Sequence, residues 1–331
     1  MVPRSAAVVG LVLLLALALH AQEPASSPSL ERWRADHEAA LRSSDGWLSV
    51  VGLAWLKAGA NRAGSAAGAD VQLPAGTPAT VGTFRLAAGV VTFEPTPGVD
   101  VATSRARGAG GVIRPDVDRV SSGSLTLLVI KRGDRVGVRI KDSRSASREQ
   151  FAGEIWYPGN DAWRVTARFE RYDPPKLIPI LNVIGQVEPQ PSPGALVFAL
   201  AGREFRLDPI EQDGRLFVIF KDSTSGETTY PSGRFLYASM PANGQVLLDF
   251  NKAENPPCAF TEFATCPLPP RQNQLPIRVE AGEKYSPHKR PSKRPLSGPA
   301  AVRMRTGSGW KNASGVITPS FLKTIPFFIA I

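Results

Sequence analysis

Histidine and cysteine are scarce in this chain: three histidines and two cysteines in 331 residues. His20 falls in an apolar leader, so only His37 and His288 remain beyond it. That scarcity disfavours a His-rich metal site, a two-His zinc motif, and a Ser-His or Cys-His catalytic pair in the body. The body also lacks a Gly-x-Ser-x-Gly elbow, a P-loop and a Rossmann fingerprint, so no nucleotide or dinucleotide site of those kinds is expected. On this reading no metal and no cofactor is expected.

Acidic residues are missing from one stretch. From His288 to Ile331 there is no Asp or Glu, while Lys289, Arg290, Lys293, Arg294, Arg303, Arg305, Lys311 and Lys323 are all basic. The formal charge of +10 therefore belongs to this stretch; setting it and Arg4 aside leaves 30 basic residues against 29 acidic ones. A near-neutral body gives no reason to expect a nucleic-acid partner. Residues 286–331 read as an atypical basic tail, either a disordered extension that meets an acidic surface or a non-native end. The other end carries Arg4 and then the apolar run Ala6–Leu19, followed by small residues. This has the layout of a signal peptide over residues 1–21, with cleavage after Ala21 or Ala18, and is too short for a comfortable membrane span. It points to a periplasmic or secreted protein with no stable membrane span after cleavage. Residues 22–29 read as a linker.

Glycine and proline are abundant, at 30 each, which favours many turns and short strands. Ser29 or Ser27 can cap a helix over residues 29–42, whose Leu30, Trp33, His37, Ala40 and Leu41 share one face. Beyond it the pattern is strand and turn. Residues 82–86 and 90–94 pair around Ala87-Ala-Gly89, and residues 125–130 and 135–140 flank Lys131-Arg-Gly-Asp134. Residues 163–169 alternate Trp163, Val165, Ala167 and Phe169 on one face. Later strands are expected at 195–200, 203–207, 215–220, 234–239 and 245–250, with a closing strand at Ile277–Ala281. Residues 172–193 hold six prolines and read as a crossover. Gly82 to Pro95 echoes Gly194 to Pro209, and Lys141-Asp-Ser-Arg-Ser145 echoes Lys221-Asp-Ser-Thr-Ser225, in the same order. A duplicated β-meander and chance likeness of turn-rich strands explain this equally well. The fold expected is mainly β, as two packed β subdomains or one extended sandwich-like unit with one N-terminal helix. Its halves would span 47–170 and 194–285.

The densest polar segment runs from Asp249 to Pro270, with Asn273 just beyond. Asp249, Asn251, Lys252 and Asn255 follow an apolar strand into a proline-stiffened loop, the kind of loop that holds a fixed shape at low entropic cost. Such a loop can equally plug one end of a sheet, its amides satisfying buried backbone. Cys258 and Cys266 are a disulfide candidate in an oxidising compartment, with buried thiols as one alternative and half of a metal site completed by Asp or Glu as another, the last disfavoured because no imidazole or further thiol lies nearby in the sequence. Asp222, in the second Lys-Asp-Ser turn, with Tyr230 and Arg234 downstream, could form a structural ion pair or an anion clamp.

The run Lys221-Asp-Ser-Thr-Ser-Gly-x-x-Thr-Tyr-x-x-Gly-Arg-Phe-Leu-Tyr237, then Asp249-Phe-Asn-Lys-x-x-Asn-Pro-Pro-Cys-Ala-Phe-Thr-x-Phe-Ala-Thr-Cys-Pro-Leu-Pro-Pro270 and Ala281-Gly-Glu-Lys284, closely resembles the DUF1684 family of uncharacterised bacterial proteins. Trp47-Leu, Gly52-Leu, Trp55-Leu and Arg139-x-Lys-Asp142 also look like that family. The resemblance covers residues 30–285 and implies a domain end near Tyr285, but no activity. The leading expectation is an exported protein that binds a small polar or anionic ligand, or an envelope component. Arg234, Asn251, Asn255 and Asn273 would contact the ligand. One rival is a hydrolase without histidine, with Asp249 or Asp222 as base and Tyr230 or Lys252 as acid. The other is a structural envelope protein.

Overall fold

A computed structural model describes residues 29–104, 108 and 110–285. The leader, most of the linker and the basic tail lie outside the described residues. Helix α1, Leu30–Arg42, begins where Ser29 Oγ accepts the Arg32 N–H at 3.2 Å, a cap of the kind the sequence offers. Among the described residues no helix is long and apolar enough to cross a membrane.

Two pairs of sheets follow, each closing on its own core. In the first pair, one sheet runs in the order Val50–Trp55, Arg135–Asp142, Leu125–Arg132, Arg119–Ser122, Ala102–Thr103. The other runs Val71–Gln72, Gly59–Gly64, Gly82–Ala87, Val90–Pro95, Gly111–Ile113. Alternate residues point to opposite faces of a strand. Hence Leu125, Leu127 and Val129, with Val136, Val138 and Ile140, meet Phe84, Val91 and Phe93 from the facing sheet. In the second pair, Arg203–Leu207, Val187–Leu200, Arg164–Leu181 and Gln245–Asp249 form one sheet. Ile210–Gln212, Arg215–Asp222 and Arg234–Ser239 form the other, with Gln274–Leu275 added in parallel. Leu196, Phe198, Leu207, Leu216, Val218, Phe220, Leu236, Leu248 and Phe250 fill the space between them. The protein is mainly β with one N-terminal helix, as the composition and alternation required.

Two expected elements differ. The proline-rich stretch 172–193 is no crossover: it forms the inner arms of a long hairpin, Arg164–Leu181 against Val187–Leu200. A register shift between Arg171 and Lys176 takes up Pro174 and Pro175, and Pro179 faces Pro189. Proline lacks a ladder donor and is tolerated at such irregularities. The closing strand is Glu283–Lys284, paired with Ile155–Trp156, and Ile277–Ala281 forms no strand. The backbone of that segment is taken by side chains instead: the Val279 N–H goes to Asp222 Oδ2 at 2.7 Å, and Arg234 donates to the carbonyls of Val279 and Ala281.

The echo between the halves has a structural counterpart. In each, a hairpin (Gly82–Ala87 with Val90–Pro95; Leu196–Leu200 with Arg203–Leu207) precedes a second hairpin that ends in the Lys-Asp-Ser turn. The two halves are tied by polar contacts. Thr261 Oγ1 donates to the Val50 carbonyl at 3.2 Å, and Arg132 Nε to Thr265 Oγ1 at 3.0 Å.

Candidate functional site

Glycine-rich and proline-rich turns bring four chain segments to one point beside α1. Trp33 and His37 are one helical turn apart, so they share the face turned toward the body. Their rings stack at 5.3 Å, and Trp156 stands edge-on to both, at 5.6 and 5.9 Å. Arg34 lies over the Trp156 ring and donates to the Tyr157 carbonyl at 2.9 Å, which holds the helix to the Ile155–Trp156 strand. Glu154 immediately precedes that strand. Glu283 faces Trp156 across the two-residue ladder. Glu254 is fixed by reciprocal backbone bonds with Phe235, both 2.9 Å.

The result is a knot of one imidazole and three carboxyls. His37 Nε2 lies 3.1 Å from Glu154 Oε1, and His37 Nδ1 lies 3.3 Å from Glu254 Oε2. His37, Glu154 and Glu283 each bring one potential ligand atom within 4.8 Å of the others. The Nε2 contact is close but off the hydrogen-bond direction, so both Glu154 oxygens lack a hydrogen-bond donor although the side chain is 0% exposed. Glu283 Oε2 accepts the Asn255 N–H at 2.6 Å. The Asn255 amide donates to the Lys284 carbonyl at 3.1 Å, and its own oxygen, buried, has no partner.

Electrostatics follow from the crowding. Burial opposes charge on His37, but Glu154, Glu254 and Glu283 outweigh it and hold its pKa up at about 9. Burial pushes Glu254 up to about 7, against the pull of His37 and with the help of Glu154. Burial, then repulsion from Glu154, raises Glu283 well above the carboxylate range, despite the Asn255 N–H. Packed carboxyls cannot all ionise in a low-dielectric site unless a cation joins them.

A pocket of about 80 Å³ opens at this knot. Leu48, Phe151 and Phe260 make its apolar wall, while Glu154, Glu283 and Asn255 make the polar one.

Of the residues singled out in the sequence, only Asn255 borders this pocket. Lys252 stands outside it, 5.9 Å from the Trp33 ring. Asp249 caps the turn Phe250–Lys252, accepting from the Asn251 backbone at 3.2 Å and the Asn251 amide at 2.9 Å, with Arg164 Nε 3.5 Å away. Asn251 in turn exchanges two hydrogen bonds with the Asn160 backbone. Asn273 does the same for Asp208 and donates to the Ile219 carbonyl. Arg234 is 0% exposed and spends its donors on Ala281, Val279 and Asp222, so it cannot meet an anionic ligand. Asp222 also accepts from the Thr224 hydroxyl at 2.9 Å. Tyr230 donates to the Cys258 carbonyl at 3.1 Å. The expected meeting of Asp249 with Arg234 does not occur. The Asp222–Arg234 pair is a brace for Val279–Ala281, the segment that leads into Glu283. The structure also holds Cys258 and Cys266 as buried thiols instead of the expected disulfide, with Cys266 Sγ accepting the Cys258 N–H at 3.1 Å.

Sequence reasoning missed Glu154, Glu254 and Glu283, and read His37 only as part of a helix face. Signals existed for two of them: Glu283 stands in the Ala281-Gly-Glu-Lys284 motif, and Glu254 sits in a run, Phe250–Ala259, that is otherwise apolar, amide or proline apart from Lys252. A lone acid there is out of place unless it has work or a partner.

No curated protein matches this chain. An uncharacterised protein of Haloarcula marismortui, solved in solution by NMR, is 29% identical over 41% of this chain and 78% of that chain, with a TM-score of 0.36. A family model described as "Protein of unknown function (DUF1684)" matches residues 149–284, a stretch that contains Glu154, Glu254 and Glu283 but not His37. Over those residues the chain is similar to the DUF1684 family.

Proposed function

We propose that this protein is an exported binding protein for a small polar ligand, taken up in the pocket beside α1. The observation that carries the reading is the Glu154 carboxylate, fully buried, without a hydrogen-bond donor, and forming part of the pocket wall. An unsatisfied carboxylate in a cavity calls for a positive or donor-rich group. The polar end of the ligand would meet Glu154, Glu283 and the Asn255 oxygen, and its apolar part would rest on Phe151 and Phe260. With Arg234 committed to the backbone, a cationic or neutral polar ligand fits this wall better than an anionic one. Export rests on the leader read in the sequence.

A hydrolytic role is favoured by a different observation. His37 and Glu254, 3.3 Å apart, set an imidazole against a carboxylate, a pairing from which a general acid or base can be built. The residues would then be His37 and a glutamate in place of the Asp, Tyr and Lys first considered.

The test is direct. Trp33 and Trp156 flank the site, so their fluorescence reports on occupancy. The protein is titrated with a panel of primary amines and guanidinium compounds, and native mass spectrometry tests for a co-purified ligand. A saturable change that Glu154→Gln abolishes and Asp249→Asn leaves intact is expected. Equal loss in both variants, or no saturable change with any compound and no retained ligand, sinks the binding reading.

A further inference from the structure

Three other buried carboxylates of the fold have hydrogen-bond donors. Asp222 accepts from Thr224, from the Val279 N–H and from Arg234. Asp208 accepts from Tyr172 at 2.9 Å and from Lys176 and Gln272, both at 3.3 Å. Asp118 accepts from the backbone and guanidinium of Arg114. Glu154 alone of these is sealed from solvent with no donor on either oxygen. A buried carboxylate with no hydrogen-bond donor on either oxygen calls for a cation beside it.

A second, separate orphan borders the same pocket. The Asn255 oxygen is buried and unpartnered, although the rest of that side chain and its backbone N–H are engaged with Lys284 and Glu283. An amide oxygen, two carboxylates and an imidazole nitrogen are all lone-pair donors. Apart from the Asn255 N–H, which reaches Glu283 Oε2, no hydrogen-bond donor meets them.

We propose that His37 Nε2, Glu154 and Glu283 form a binding site for a divalent transition-metal ion. The Asn255 oxygen stands ready as a further ligand, and a coordination position opens into the pocket. This deepens the ligand-binding reading and rests on it for the assignment of the pocket. Mixed imidazole and carboxylate donors suit ions of the Mn²⁺ to Zn²⁺ series. Ligand atoms bonded at about 2.0–2.2 Å stand no more than roughly 4.4 Å apart. Tetrahedral ligands at those bond lengths stand roughly 3.4 Å apart; the 3.1 Å gap between His37 and Glu154 fits this, and atoms within 4.8 Å of one another come into range by side-chain shifts of roughly an ångström. Glu254 is a positioning residue. Placed on Nδ1, it holds that nitrogen as the N–H donor and leaves the Nε2 lone pair for the metal, the arrangement by which carboxylates orient metal-binding histidines. Trp33 and Trp156 fix the ring plane. The open position is where a small polar ligand, or a water, would bind.

The experiment uses the full chain after EDTA treatment and desalting, titrated calorimetrically with Zn²⁺ and, separately, Mn²⁺. One ion per chain is expected. Glu154→Gln and His37→Gln should each weaken binding at least 100-fold. Glu154→Gln keeps the shape of the side chain, and a urea denaturation curve of the apo variant shows whether any loss of binding stems from unfolding. Glu254→Leu should weaken binding about 10- to 100-fold and alter the visible absorption of the Co²⁺-substituted protein, while Glu254→Gln, which keeps an acceptor for Nδ1–H, should restore both. The exposed Glu227→Gln serves as the control and should change nothing. No saturable binding of either ion to the wild type overturns the proposal, as does equal weakening by Glu227→Gln and Glu154→Gln. If neither ion binds but an organic ligand is still lost in Glu154→Gln, the metal site falls and the binding reading stands. If an ion binds with the expected variant pattern but no organic ligand is found, the metal site stands and the binding reading falls.

Discussion

Arg234 shows how a residue with the chemistry of a ligand clamp becomes part of the frame. It is the largest fully buried side chain among the described residues, and its two terminal nitrogens reach two backbone carbonyls and one carboxylate 3.4 Å away. Replacing it strands Asp222 in the interior. Arg234→Met is expected to destabilise the protein by about 3–5 kcal/mol, the typical cost of a buried charge that loses its partner. Urea denaturation monitored by tryptophan fluorescence measures this. Tyr237 is the opposite case. Its hydroxyl is buried without a hydrogen-bond partner, and burial, with Glu254 nearby, pushes the phenol well above its usual range. The unfolded chain releases that proton near pH 10 while the folded chain keeps it, so stability is present below pH 10 and is lost as pH rises beyond it. Tyr237→Phe should be neutral, or stabilising by up to ~1 kcal/mol at pH 7, and should flatten its share of the alkaline decline in denaturant midpoint. Neither residue type announces its role in the sequence. An arginine after Ser-Gly and a tyrosine in a strand look alike whether they face a ligand, a carbonyl or nothing.

At the level of elements, the placement of Glu283 depends on the turn that precedes it. Gly282 has φ of +78°, and a Cβ there would sit 2.4 Å from the Ala253 carbonyl oxygen and 2.9 Å from that of Phe250. The left-handed backbone and the close approach both require glycine. Gly282→Ala is therefore expected to cost about 2 kcal/mol or more and to displace Glu283, lowering melting temperature and metal affinity together. Helix α1 makes a milder test. Its N-cap is the one hydrogen bond from Ser29, so Ser29→Ala should cost about 1 kcal/mol, read as a shift in thermal midpoint. These elements were legible at different depths. The helix start, the hairpins around Lys131-Arg-Gly-Asp134 and Ala87-Ala-Gly89, and the alternating strands follow from local periodicity and turn chemistry, and the structure has them. The closing strand was misplaced because the backbone of Ile277–Ala281 is satisfied by Asp222 and Arg234, side chains from distant positions that no local window contains.

For the whole molecule, the site ties separate regions together. His37 comes from α1, Glu154 from the segment between the two sheet pairs, and Glu254 and Glu283 from the end of the second pair. An ion bound by groups from such distant segments exists only when they are all assembled, so it stabilises the fold as a unit. Zn²⁺ at about 100 times its dissociation constant should add roughly 2.7 kcal/mol, seen as a rise in the urea midpoint of the main transition. EDTA should reverse the rise, and Glu154→Gln should show none. A shift in the Glu154→Gln variant equal to the wild type would place the ion elsewhere.

What the amino-acid order determined alone was everything set by near neighbours: the β-rich class, the capped helix, the hairpin turns, and the motifs that make residues 149–284 similar to the DUF1684 family. Periodicity and turn preference act over a few residues, and a reader of the sequence sees them directly. Only the tertiary structure decided which polar side chains are braces and which are left open. That depends on how deeply each is buried and how many donors reach it, and both are supplied in large part by residues 45 or more positions away. His37, Glu154, Glu254 and Glu283 have no shared spacing to betray them; packing put them within reach of one another and withheld the hydrogen bonds.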